Sequence, residues 1–315
     1  MVKRLLPLLL LAGLALLPFA ALAAGGEFYL AFVTRVLIYA LVAASLNLVV
    51  GQGGMVCFGH AAFFGLGAYG AAVLVRSEVT SLLVMLPFAL LASGLLALVV
   101  GAISLRTRGV YFIMITLAFA QMVYYLALSL KMLGGDDGLT LAARGALGPL
   151  DLKNPMTLYF VTAVLVALAL LLLFRLEESR FGRVIRAIRD NEGRTAAIGY
   201  PVYRYQLACF TIGGALAGLA GALLANLNGF VSPNLLGWHQ SGHLLIMIIL
   251  GGVGARWGGP LGALAVLGIE EALSEHTIHW QIGLAALLLT VVLGMRRGLS
   301  GVLTLAGRLK GSAGA

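Results

Sequence analysis

"ESRFGRVIRAIRDNEGRTAAIGYP", residues 178–201, is the stretch on which the reading of this chain turns. It carries Arg180, Arg183, Arg186, Arg189 and Arg194, with Asp190 and Glu192 among them. Phe181, Val184, Ile185 and Ile188 recur at spacings of three and four, which gives a helix one apolar face. The arginines cover much of the remainder. Gly182 and Gly199 bracket the segment and Pro201 stops it. The spacing therefore predicts an amphipathic helix from Ser179 to Ala197. Such a helix either lies on anionic lipid or docks into a groove on a partner.

The surroundings of this segment are of another kind. The 315 residues are 61% apolar and 10% charged, with a mean hydropathy of +1.02. Soluble domains hold roughly 45–50% apolar residues. Runs of about 20 apolar residues span a bilayer, and here they use up most of the chain, leaving no room for a large soluble domain. The net charge of +9 belongs to loops that set topology, not to nucleic-acid binding. Cys57 and Cys209 lie inside apolar segments and read as packing residues. The 42 glycines suit membrane helices that approach closely.

The opening residues 1–27 read as a retained first helix or a signal-like segment, since Lys3 and Arg4 precede an apolar run. Further spans are expected at 28–50, 55–75, 81–105, 110–130, 156–174, 205–229, 236–252, 258–273 and 280–295. That makes about ten. The membrane body is then 28–304, with a cytoplasmic insertion at 176–204 and a cytoplasmic tail at 305–315. Loop charge supports this alternation. Arg106, Arg108, the arginine-rich segment, Arg256, Arg296, Arg297, Arg308 and Lys310 fall inside. Glu27, Arg76 with Glu78, Asp136, Asp137 and Glu275 fall outside. The fold class expected is an all-α polytopic membrane protein with inverted-repeat halves. Each half holds a glycine-interrupted stretch: "GQGGMVCFGHAAFFGLGAYG", residues 51–70, and "GGVGARWGGPLGA", residues 251–263. Paired breaks of this kind mark transport pathways.

No HExxH, GxSxG or GxxxxGK[ST] is present, so protease, hydrolase and nucleotide sites have no support. The five histidines are scattered and make no metal cluster. Polar residues at membrane depth are costly and invite a functional reading. Asn47, Gln52 and His60 surround the first glycine break, and Thr116 and Gln121 lie in the fifth span. Asn226, Asn228, Glu270 and Glu271 are further polar positions. The competing reading is hydrogen bonding between helices. No span shows a relay of buried charges, so the path suits a neutral or zwitterionic solute.

Taken together, several ordered motifs resemble the LivM-type permeases of branched-chain amino acid ABC transporters. They are "GHAAFFGLGAYGAA" (59–72), "ITLAFAQM" (115–122), "GGDDGL" (134–139), "RFGRVIRAIRDNEGRTAAIGY" (180–200), "AGLAGALLA" (217–225) and the second glycine stretch. The resemblance runs from about Ile38 to Gly301. It implies an ABC importer permease fold in a bacterial plasma membrane and import of leucine, isoleucine, valine or related neutral amino acids by alternating access. It implies a homologous second permease (LivH-type), two cytoplasmic ATPases and an extracytoplasmic binding protein. It implies no cofactor and no catalytic residue in this chain. The ATPase-coupling loop would include Gly182, Arg183, Arg186, Arg189, Glu192, Ala196, Ala197 and Gly199. Asn47, Gln52, His60, Thr116 and Gln121 would line the path. Cys57-Phe58 departs from the family's usual Ser-Leu, and Arg256 is also unusual. Relatives of this architecture carry urea or short amides, which is the alternative; an ion-coupled secondary transporter is a further one, and a membrane-embedded enzyme would need clustered polar residues at one depth.

Overall fold

The computed structural model describes residues 27–274 apart from 142–144, 148–149 and 153, together with 276, 281–283, 285–286, 289–290 and 298–301. The expected first helix, most of the tenth span and the tail lie outside the described residues. Among the described residues five helices are long and apolar enough to cross a bilayer. α1 is Glu27–Asn47, prolonged by a π-wound turn at Leu48–Gln52. α2 is the shorter His60–Arg76. α3 is Leu82–Ser104 and α4 is Val110–Ser129. α5 is Pro155–Glu178, longer than the expected 156–174. α6 is Arg180–Asp190 and α7 is Glu192–Ala197. α8 is Val202–Asn228, α9 is Trp238–Gly251 and α10 is Gly258–Ser274.

Three expectations change. The segment at 55–75 is helical only from His60, because the chain stays irregular after Gly53-Gly54. α9 and α10 have 14 and 17 residues, which at about 1.5 Å per residue is less than a full bilayer crossing. The amphipathic helix expected over 179–197 is two helices. Asn191 leaves the helical region at φ −159°, ψ 99°, and its Oδ1 accepts the Arg194 N–H at 2.9 Å to start α7. An all-helical reading also passes over two small antiparallel pairings, Leu139–Thr140 with Phe230–Val231 and Ala146–Leu147 with Leu150–Asp151.

α8 is the centre of the bundle and packs on α3, α2 and α1. Lipid tails are as apolar as leucine, so close packing rather than water exclusion holds such helices together. The seam is built from small residues. Gly67 of α2 lies directly on the Gly218 backbone of α8, and Gly218 in turn receives Ser93 of α3. The Ser93 hydroxyl donates to the Phe63 carbonyl at 3.0 Å, tying α3 to α2. Phe63 and Phe112 both meet the Phe210 ring edge-on. α1 reaches α10 in the same manner, Gly259 resting on the backbone of Ala43 and Ala44. α1 with its π turn is mostly buried and most of α4 is not, so α4 is peripheral to this chain.

A side chain at the seam has nowhere to go. Gly218→Leu is expected to lower unfolding stability in detergent by about 1–3 kcal/mol, the usual cost of overpacking. Gly268→Ala, where a Cβ meets nothing within 4 Å, serves as the control and leaves the melting temperature unchanged or raised. Equal melting temperatures for both variants would show that the seam is loose.

Candidate functional site

The site forms where the two glycine breaks meet. After α1 the chain unwinds through Leu48–Gln52 and turns at Gly54, whose φ of +70° is one that residues with a Cβ rarely adopt. After α9 it turns at Gly252 and Gly254, with φ of +113° and +76°. Unwound backbone inside a membrane protein needs internal partners for its N–H and C=O groups. Asn47 supplies both. Its Nδ2 donates to the Ala255 carbonyl at 2.8 Å and its Oδ1 accepts the Gly254 N–H at 2.8 Å. Gln52 Nε2 donates to the Gly254 carbonyl at 2.9 Å. Gly51 lies so close to Asn47 and Gly254 that any Cβ there would collide with the Gly254 backbone.

α6 closes over this junction. Its apolar face places Ile185 and Ile188 in the core, and Phe181 stacks on Tyr205 with ring centroids 5.6 Å apart. Two arginines then reach inward. Arg189 Nη1 donates to the Gly51 carbonyl at 2.6 Å, and Arg186 Nη1 donates to Gln52 Oε1 at 3.2 Å. Gln52 thus connects α6 on one side with the second break on the other. At the far side Arg256 pairs with Glu178 at 2.5 Å and lies 4.6 Å over the Phe174 ring. Glu177 is buried beside this pair. One contiguous set of hydrogen bonds and ion pairs therefore joins α1, α5, α6 and the loop before α10.

The residues singled out in the sequence separate into three groups. Asn47 and Gln52 meet at the junction. His60 and Thr116 lie next to it: His60 Nε2 is 2.9 Å from the Ser45 hydroxyl, and Thr116 Oγ1 donates to Ile113 O at 2.9 Å while accepting the Phe58 N–H at 3.4 Å. Thr116 thereby holds the irregular loop against α4. Gln121 stands apart, on the outer face of α4 beside Met122 and Tyr125. Within the arginine-rich segment Gly182 is buried, with no room for a Cβ over the Glu177 carbonyl. Arg183, Ala196, Ala197 and Gly199 are exposed. Gly199 has φ +93° and open space around it. Glu192 pairs with Arg108 at 2.8 Å, so it meets a partner inside the chain. Cys57 and Cys209 are free and buried.

Sequence reasoning missed Ser45, Glu177 and the Arg108 pairing, and it missed that the two breaks touch. The acceptors are backbone carbonyls, which leave no side-chain signal; only the repeated glycine spacing in both stretches points to them. Ser45 and His60 are in hydroxyl–imidazole contact, but the Ser45 hydroxyl donates to the Val42 carbonyl at 2.7 Å and so accepts from His60. What the geometry shows is a physical connection from α6 to the two glycine breaks.

Asn47→Ala takes the side-chain acceptor from the part-buried Gly254 N–H, which costs about 1–3 kcal/mol, while the Ala255 carbonyl keeps the Gly258 N–H at 2.9 Å. The variant should therefore unfold at least about 1 kcal/mol more easily in detergent. A melting temperature equal to that of the parent chain would mean that water or a neighbour replaces the amide without loss.

Residues 28–303 match the family described as branched-chain amino acid transport system / permease component. The chain is 29% identical over 290 residues to the high-affinity branched-chain amino acid transport system permease protein LivM of Salmonella typhimurium, covering 84% of this chain and 68% of that protein. It is 28% identical to LivM of Escherichia coli over the same shares. It is 33% identical to LivH of Escherichia coli over 145 residues, 45% of this chain and 46% of that one. No solved structure matches. The family match takes in both glycine breaks and the arginine-rich helices that lock them together, and this chain belongs to the permease components of branched-chain amino acid transport systems.

Proposed function

We propose that this chain is the permease subunit of an ATP-binding-cassette importer that moves leucine, isoleucine, valine or a related neutral amino acid into a bacterial cell. The observation that carries the reading is the docking of α6 on both glycine breaks through Arg186, Arg189, Gln52 and Asn47. Two homologous permeases would sit side by side in the plasma membrane; likeness to both LivM and LivH supports such a pair. Two ATPases would bind below and a binding protein would deliver solute from outside. The topology is about ten spans in inverted halves, over 28–304. In its favour, α1 and α9 each run into a glycine break followed by a short helix.

In this reading residues 176–204 form the coupling loop. Ala196, Ala197, Gly199 and the exposed Ile198 give a small-residue surface for the ATPase. Closure of the ATPases pushes α7 and α6. Arg189 and Arg186 carry that push to Gly51 and Gln52, and Gln52 and Asn47 pass it to Gly254 and Ala255. The permease then exchanges outward- and inward-open states by alternating access, with ATP biasing the balance between them. Hydrolysis belongs to the ATPases, and this chain contributes no catalytic residue and needs no cofactor. Asn47, Gln52, His60 and Thr116 would form the inner wall of the path, and Gln121 would face it from the side of α4 exposed in a single chain.

ATP-dependent uptake of labelled leucine by the complete complex in proteoliposomes tests the class and the solute together. Leucine, isoleucine and valine should compete. Competition by urea but not leucine would move the solute to the amide alternative, and uptake by this chain alone on a proton gradient would overturn the importer reading. Arg189→Ala should lower uptake per ATP hydrolysed by roughly 5–150-fold, the range of a coupling free energy of about 1–3 kcal/mol, with ATPase co-purification retained. Gly199→Trp should act in the same direction, because the positive φ disfavours any Cβ and the indole would block the docking surface. Normal uptake in both variants would remove this segment from coupling.

A further inference from the structure

We propose that the cavity between the first glycine break, the start of α4 and the arginine-rich helices binds a zwitterionic α-amino acid with an aliphatic side chain. The cytoplasmic position of this cavity rests on the topology proposed above. Its volume is about 360 Å³, within the size of small-ligand sites. One wall is apolar, made of Val56, Phe112, Ile113 and Ile188. The other carries two opposite-charge pairs, Arg108 with Glu192 at 2.8 Å and Arg189 with Asp190 at 3.1 Å. An apolar wall facing a few placed charges is the usual composition of a small-molecule site.

The charge pattern selects the ligand class. An exposed ion pair contributes little to stability, and the Arg108 side chain is 80% exposed. Opening its pair with Glu192 is therefore easy. A zwitterion can take both vacated partners, its carboxylate on Arg108 and its ammonium on Glu192, so that one pair becomes two charge-assisted contacts. A simple anion would leave Glu192 and Asp190 facing it, and a simple cation would meet two guanidinium groups. The branched side chain would lie on Phe112, Ile113 and Ile188. Arg189 also lines the cavity while its Nη1 holds the Gly51 carbonyl. A ligand bound here stabilises the arrangement in which α6 is latched to the break, and a ligand that favours one state shifts the population toward it. The site would thus let accumulated product slow its own import.

The test is equilibrium dialysis of labelled leucine against the purified complex with its partner subunits and without binding protein. Isovalerate and isoamylamine serve as probes that keep one charged end each. Leucine is expected to bind saturably, and either probe roughly tenfold or more weakly. Val56→Trp, at a position 40% exposed, fills the cavity and should weaken leucine binding by roughly tenfold or more; if this variant does not assemble, Glu192→Gln gives the same readout by removing the ammonium partner. Absence of saturable leucine binding overturns the proposal. So does leucine binding that both variants leave unchanged, or isovalerate binding as tightly as leucine. The uptake assay is read separately. Uptake without this binding defeats the cavity alone, and this binding without ATP-driven uptake defeats the importer reading alone.

Discussion

A helix that unwinds inside a bilayer exposes N–H and C=O groups that water cannot reach. In this chain α1 and α9 both do so, and one carboxamide reconciles them. Asn47 is the last residue of α1, fully within the core, and its amide accepts from Gly254 and donates to Ala255. The second break is thereby tied to the end of the first. Without that contact the Gly254 N–H would lose its acceptor, a cost of about 1–3 kcal/mol. The glycines follow from the same constraint. Gly51 must admit the Gly254 backbone, and Gly54 and Gly254 must take positive φ.

The arginine-rich segment is best understood as a cap on this junction. Its apolar stripe supplies adhesion through Ile185 and Ile188, and its arginines supply direction through defined carbonyl and amide oxygens. Guanidinium groups suit that task, because they remain charged and present several donors in a fixed plane. The break at Asn191 turns the chain so that α6 faces the junction while α7 remains at the surface, with Thr195 buried against the bundle and Glu192 paired with Arg108. In the proposed function this surface helix receives the push of the ATPases and passes it inward.

Much of this was legible in the residues. Glycine runs at membrane depth announced both breaks, and the three-and-four spacing announced the buried face of α6. The contact between the breaks was not legible, because it uses backbone acceptors more than two hundred positions from Asn47 and Gln52. The division of the amphipathic helix was legible in principle: Asn191 before Glu192 is a helix-start signal, but the unbroken arginine spacing overrode it. The two-residue strands are too short to leave a period of two. Gln121 illustrates the limit of depth-based reasoning. Its position along α4 was plain, whereas its outward face depends on which side of α4 the bundle covers, and most of α4 is uncovered. His60 found its partner Ser45 on another helix, a pairing that no local pattern encodes.

The central claim is that α6 and the two glycine breaks form one unit that moves together. Paired spin labels at Arg183 on α6, Val253 in the second break and Leu95 on α3, all exposed positions, measure this in the assembled transporter. Distances are taken without nucleotide and with ATP held unhydrolysed. The account predicts that the 183–253 distance stays the same while the 95–253 distance changes. A shift in the 183–253 distance with the 95–253 distance constant would show α6 sliding free of the break, and would contradict it.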